Sequence, residues 1–187
     1  MIKKCLLFTA DMMKLPAYLF GFVTLLQFLL AEACSSGCTC SAGKWDCSSS
    51  HHTSISLDRD TVSLNLAFND ITVLRDDYFI SSSKILLCNL TLNNNEMKRI
   101  EPEAFYMLVE LQHLDLHKNK LQSFHESLFQ NNLKLKTLDL SENMLKEIPS
   151  SLFELKMKLE LVNITGNNLN PSAIAPALFK DSLNVIR

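Results

Sequence analysis

Apolar and polar residues alternate along this chain in short bursts, and the bursts repeat. An eleven-residue pattern, L-x-x-L-x-L-x-x-N-x-L with other apolar residues allowed, aligns TVSLNLAFNDI (61–71), LCNLTLNNNEM (87–97), LQHLDLHKNKL (111–121), LKTLDLSENML (135–145) and LELVNITGNNL (159–169). Corresponding residues Leu64, Leu90, Leu114, Leu138 and Val162 are 26, 24, 24 and 24 residues apart. A fixed period of this size marks a solenoid, in which one supersecondary unit per repeat buries its apolar side against its neighbours. The centre of each copy alternates with period two, which predicts a strand. In the fourth copy Leu138 and Leu140 face inward while Thr137, Asp139 and Ser141 face outward. The strands are expected to stack in parallel and form a concave sheet.

Two further columns support the register. Asn69, Asn95, Asn119, Asn143 and Asn167 recur where each strand ends, and a carboxamide buried in such a turn can bond backbone groups that would otherwise go unpaired. Phe79, Phe105, Phe129 and Phe153 each lie eight residues after the last apolar position of a repeat. At that spacing they line the convex side of the core, and neither column is assigned a ligand.

Ligand contacts in a solenoid belong to the outward strand positions. These read Ser63, Asn89, His113, Thr137 and Leu161 in the first column, Asn65, Thr91, Asp115, Asp139 and Asn163 in the second, and Ala67, Asn93, His117, Ser141 and Thr165 in the third. The candidate binding residues are Phe68 and Leu161, the sizeable apolar side chains in or beside these columns, together with His113, Asp115, His117 and Asp139. His113, Asp115 and His117 also have the residue types of a metal site. Alternate strand residues stand about 6.6 Å apart, so the two histidines are separated by about 13 Å, too far for one ion with bonds near 2 Å. No metal or other cofactor is expected. Asn89-Leu90-Thr91 and Asn163-Ile164-Thr165 are N-glycosylation sequons whose central residue is inward, so Asn89 and Asn163 should carry glycans on the concave surface.

The composition is that of a folded chain, 187 residues with 47% hydrophobic and 20% charged content. The formal net charge of −2 provides no electropositive footprint, so nucleic acid is not an expected partner. Lys3, Lys4 and Lys14 precede an apolar run from Leu15 to Leu30 that ends in Ala31-Glu32-Ala33, the form of a cleavable secretory signal at 1–33. Its removal takes Cys5 with it and leaves a mature chain without a membrane span. Four of the remaining cysteines cluster as Cys34-x3-Cys38-x-Cys40-x6-Cys47. After a signal peptide this reads as a disulfide framework rather than a zinc site, with three connectivities open. Cys88 is then the odd cysteine, expected as a small buried apolar residue, with pairing to another molecule the alternative.

The cluster followed by 24-residue repeats resembles the extracellular leucine-rich-repeat proteins, over roughly residues 34–187. Small proteoglycans of the decorin type and the axon-guidance Slit proteins share the cap spacing, and Toll-like receptors use related repeats. The resemblance implies an α/β solenoid, a horseshoe with a parallel concave β-sheet and a disulfide N-terminal cap, in which Cys34 pairs with Cys40 and Cys38 with Cys47. The expected organisation is signal 1–33, cysteine-rich cap 34–60, five repeats over 61–182, and the start of an incomplete sixth at 183–187. Trp45, between the last two cap cysteines, is expected to lie as a lid on the first strand.

The C-terminal end departs from that family, because no cysteine cap follows the last repeat. Ala177 stands in the phenylalanine column and Phe179 is displaced from it, yet Ile186 lies 24 residues after Val162. Ile186 is therefore expected at the inward position of a sixth strand, with Leu183 opening that repeat. An uncapped edge also points to self-association. No nucleophile elbow or phosphate loop is present and glycines number only four, so an enzyme is not expected. The expected function is a secreted, extracellular or cell-surface module that binds a protein ligand or a matrix protein. The alternative is the truncated ectodomain of a receptor or adhesion protein whose membrane anchor lies beyond Arg187.

Overall fold

The structure, a computed structural model, describes residues 37–52, 55–57, 60–80, 85–150, 152, 159–170 and 184–186. The signal at 1–33, Cys34, Phe153, Ala177, Phe179 and Leu183 lie outside the described residues. The elements in chain order are β1 (Thr39–Ser41), β2 (Lys44–Asp46), β3 (Ile55–Ser56), β4 (Ser63–Asn65), β5 (Val73–Leu74), β6 (Phe79–Ile80), β7 (Asn89–Thr91), β8 (Arg99–Ile100), β9 (His113–Asp115), β10 (Thr137–Asp139), β11 (Leu161–Asn163) and β12 (Asn184–Ile186). Eight of them form one sheet in the order β1-β2-β4-β7-β9-β10-β11-β12. Every pairing from β2 onward is parallel. The result is the parallel solenoid expected from the period.

Each strand of this sheet is only three residues long because the repeat turns away immediately after it. The inward residues Leu64, Leu90, Leu114, Leu138 and Val162 are opposite one another in register and at most 2% exposed. On the far side of the core, Phe79 stacks on Phe105 and Phe105 on Phe129 with ring centroids 6.5 and 5.9 Å apart. Small parallel pairs, β3 with β6 and β5 with β8, tie successive repeats beyond the main sheet. The convex segments at 102–107 and 126–131 are consecutive turns.

The asparagine column turns each strand. Asn119 is representative: its Nδ2 donates to the carbonyls of Leu92 and Leu116, both at 3.0 Å, and its Oδ1 accepts from Met97 N at 3.1 Å. Asn69, Asn95 and Asn143 make the same set and are 3–7% exposed. The residue just before each asparagine is in the left-handed region, with φ of 56° at Phe68, 52° at Asn94, 52° at Lys118, 50° at Glu142 and 67° at Gly166. The tight turn that aims the carboxamide inward requires it.

The N-terminal edge is closed by the β1–β2 hairpin. Ala42 and Gly43 both have positive φ, 49° and 73°, the two-residue turn that suits strand twist. Gly43 O then accepts from Val62 N and Ser63 N at 2.7 and 3.1 Å, docking the hairpin on the first repeat. Trp45 is opposite Leu64 and 3% exposed, so it does lid the first strand. Cys38 and Cys47 are disulfide-bonded. Cys40 is also disulfide-bonded.

Two expectations are corrected. Cys88 is buried as expected, 3% exposed, yet it is disulfide-bonded and not a free thiol. The strand expected at the C-terminal end forms, but Val185, not Ile186, is opposite Val162. The last period is therefore 23 residues, one shorter than the count along the chain implies. A one-residue slip exchanges the two faces of a strand. Register there is set by pairing with β11 and not by the spacing of the preceding repeats.

Candidate ligand-binding face

The concave face is made of three outward columns, and the second is the most ordered. Asp46, Asn65, Asp115, Asp139 and Asn163 each accept from the backbone N–H two residues on, that of Ser48, Ala67, His117, Ser141 and Thr165, at 2.9–3.2 Å. These Asx turns end the strands, using the short acceptor side chain that Asp and Asn provide. Thr91 replaces the Asx residue in β7. Lateral bonds then join neighbouring repeats: Asn65 Nδ2 donates to Asp46 Oδ1, Asn93 Nδ2 to Asp115 Oδ2 and Asn163 Nδ2 to Asp139 Oδ2, at 3.1, 2.7 and 3.1 Å.

Asp115 and Asp139 are opposite each other in the β9–β10 register, about 4.8 Å apart along the sheet. Among the described residues neither carboxylate forms an ion pair. Two like charges side by side are unfavourable. Their oxygens are hydrogen-bonded, but their charge is not neutralised. They form the floor of a shallow groove of about 420 Å³ whose walls include Asn89, His113, Thr137 and Leu161.

The histidines are held by hydroxyls of the next repeat. His113 Nδ1 lies 2.8 Å from Thr137 Oγ1, and His117 Nδ1 lies 2.8 Å from Ser141 Oγ. Ser141 Oγ is 2.5 Å from Asp139 Oδ1. An ionised carboxylate only accepts, so Ser141 donates to Asp139 and His117 donates to Ser141. This order differs from that of a nucleophilic triad, where histidine takes the hydroxyl proton. Ser141 is also only 3% exposed, so an expected outward residue is in fact enclosed. Burial, with Lys136 nearby, holds the His113 imidazole below its ordinary value, and Glu160 acts in the opposite direction.

The remaining candidates spread apart. Leu161 is half-buried at the end of the groove, whereas Phe68 is 61% exposed at the turn of the first repeat. Asn89 and Asn163 flank β9 and β10, and the residues between each asparagine and its threonine, Leu90 and Ile164, are 1% and 2% exposed. Both sequon asparagines are thereby turned outward. Sequence reasoning missed the hydroxyl contacts across repeats, because they run along a column between residues 24 apart rather than between neighbours in the chain.

His113, Asp115 and His117 do not converge on a common point. Cys38, Cys47 and His52 do, with candidate ligand atoms within 4.8 Å of one another and Cys38 Sγ 3.3 Å from His52 Nε2. The two sulfurs are bonded to each other, however, and thiolates are what a metal would need. No helix among the described residues is long and apolar enough to cross a membrane.

A family model described as leucine rich repeat matches residues 60–121 and 110–169. The chain belongs to the leucine-rich-repeat family. Among solved structures, 155 chains match this leucine-rich-repeat chain. One is the crystal structure of a TLR13–ssRNA13 complex, with 28% identity and a TM-score of 0.65, covering 79% of this chain. The chain spans 22% of the length of that one. A comparison with curated proteins finds no match. The likeness is consistent with a leucine-rich-repeat binding module.

Proposed function

We propose that the chain is an extracellular protein-binding module whose partner lies across β9–β11 of the concave face. One observation carries this reading: Asp115 and Asp139 sit side by side in the groove floor without a cationic partner among the described residues. A partner presenting a basic side chain there relieves the repulsion and gains a charge-assisted hydrogen bond. His113, Thr137 and Leu161 supply the wall contacts. The TLR13 structure holds a single-stranded RNA. Here an acidic floor repels phosphates, so protein is the favoured partner class. Ser141 is enclosed and donates to a carboxylate, so it is not set up as a nucleophile, and the reading is of a binding module.

The secretory signal at 1–33, the disulfides and the sequons at Asn89 and Asn163 support an extracellular setting. Within it the chain is a free matrix or ligand-binding component. The likeness to a receptor favours a second reading, part of a receptor or adhesion ectodomain. The test is expression of the full chain in mammalian cells. Recovery from the medium with an N-terminus at Cys34 and loss of mass on amidase treatment supports the reading. Retention as a cytosolic protein with reduced cysteines refutes it. Binding is read on an array of purified extracellular domains: Thr137→Arg should abolish capture without changing the melting midpoint, and unchanged capture overturns the assignment of the groove.

A further inference from the structure

Phe68 stands out from the column it occupies. The corresponding turn residues are Asn94, Lys118, Glu142 and Gly166, all with positive φ. Glycine and asparagine tolerate that conformation, whereas a bulky aromatic residue with φ of +56° is an outlier that costs stability. Burial does not compensate, since the ring is 61% exposed. Nothing in the packing of the first repeat calls for phenylalanine here.

Its surroundings are acidic. Two residues on, Asp70 is 75% exposed and pairs with His51, itself 76% exposed, with Oδ2 and Nδ1 2.5 Å apart. Three residues before Phe68, Asn65 donates to the exposed carboxylate of Asp46 on the neighbouring strand. An open aromatic face with one exposed carboxylate two residues on, Asp70, and another across the β2–β4 register, Asp46 opposite Asn65, fits a planar cation, which stacks on the ring and pairs with an acid.

We propose that Phe68, with Asp70 and Asp46, is an arginine-binding platform at the N-terminal rim of the concave face, and that the partner is a basic protein segment. This rests on the reading of that face as protein-binding and extends it: the segment that places a basic group over Asp115 and Asp139 lays an arginine on Phe68. Arginine is favoured over lysine because only the guanidinium combines stacking with forked hydrogen bonding.

The probes are two fluorescent Gly-Ser peptides, one carrying several arginines and its counterpart carrying lysines, titrated against the full chain at physiological salt. The arginine peptide should bind about fivefold tighter or better. Phe68→Gly and Phe68→Asn should reduce its affinity to that of the lysine peptide while leaving the melting midpoint equal or higher, since both residues accept positive φ. Equal affinity of the two peptides for the parent overturns the platform, as does absence of binding by either. So does arginine preference that survives Phe68→Gly. A midpoint lowered by Phe68→Gly overturns the claim that the ring is strained. The effect of Thr137→Arg on the domain array is read separately, so failure of the rim leaves the groove assignment standing and the reverse also holds.

Discussion

Replacing Asn119 by alanine tests the central structural argument, that the asparagine column holds consecutive repeats together. In the parent, Asn119 Nδ2 donates to Leu92 O, Leu116 O and, at 3.3 Å, His117 O. Each of these carbonyls has another donor: Asn95 Nδ2 for Leu92, Asn143 Nδ2 for Leu116 and Asn94 N for His117. They are weakened but not orphaned. The N–H of Met97, a residue with 0% exposure, donates to Asn119 Oδ1 and is left without a partner by the substitution. One buried unpaired donor costs about 1–3 kcal/mol, and the lost second bonds on the carbonyls add about 1–2 kcal/mol. The total of about 2–5 kcal/mol is a large part of the stability of a domain. Urea unfolding should show a lower midpoint at unchanged slope. Hydrogen exchange should show the Met97 amide losing protection before its neighbours. Asn119→Asp should be no better, because it restores the acceptor but faces a carboxylate toward three carbonyls. A loss under about 1 kcal/mol for alanine, or parent-like stability for aspartate, refutes the reasoning.

Three further outcomes follow from other parts of the molecule. In Gly43→Ala the new Cβ meets Asp60 O at 2.6 Å and φ is +73°, so thermal unfolding should reveal a loss of at least about 1 kcal/mol; an unchanged midpoint refutes the hairpin docking. Opening the Cys38–Cys47 bridge by a double serine substitution frees a short loop, nine residues in separation, and should cost about 2–3 kcal/mol in chemical denaturation, a value near zero contradicting its role. By NMR, His113 should titrate below 6.5, with Lys136→Gln raising the midpoint and Glu160→Gln lowering it. Because the folded value is depressed, the unfolded chain binds this proton more readily. The residue's contribution is complete above the unfolded pKa and is lost as pH falls through the folded one; a midpoint above 6.5 contradicts the burial argument.

Much of the candidate site was legible in the chain because a solenoid repeat interacts mainly with its neighbours. Leu90 and Ile164 are buried where alternation puts them, and this alone turns Asn89 and Asn163 outward. The bonding of Asp115 and Asp139 was less legible. Their residue types suggest ligand contacts, but a carboxylate that ends a strand and one that meets a ligand look alike until the next turn is in place. Ser141 shows the same limit: an outward position by parity, it is enclosed once His117 and Asp139 close over it.

The sequence by itself determined the repeats, the parallel sheet, the asparagine and phenylalanine columns and the lid position of Trp45. All of these follow from periodicity, which dictates what each repeat must bury. Only the tertiary structure decided that Val185 rather than Ile186 stands opposite Val162, that Cys88 is bonded, and that Phe68 is held exposed at positive φ. These depend on lateral register, on residues distant in the chain and on a backbone angle imposed by the following asparagine. A period counted along one strand contains none of them, because they arise when neighbouring turns of the solenoid are brought together.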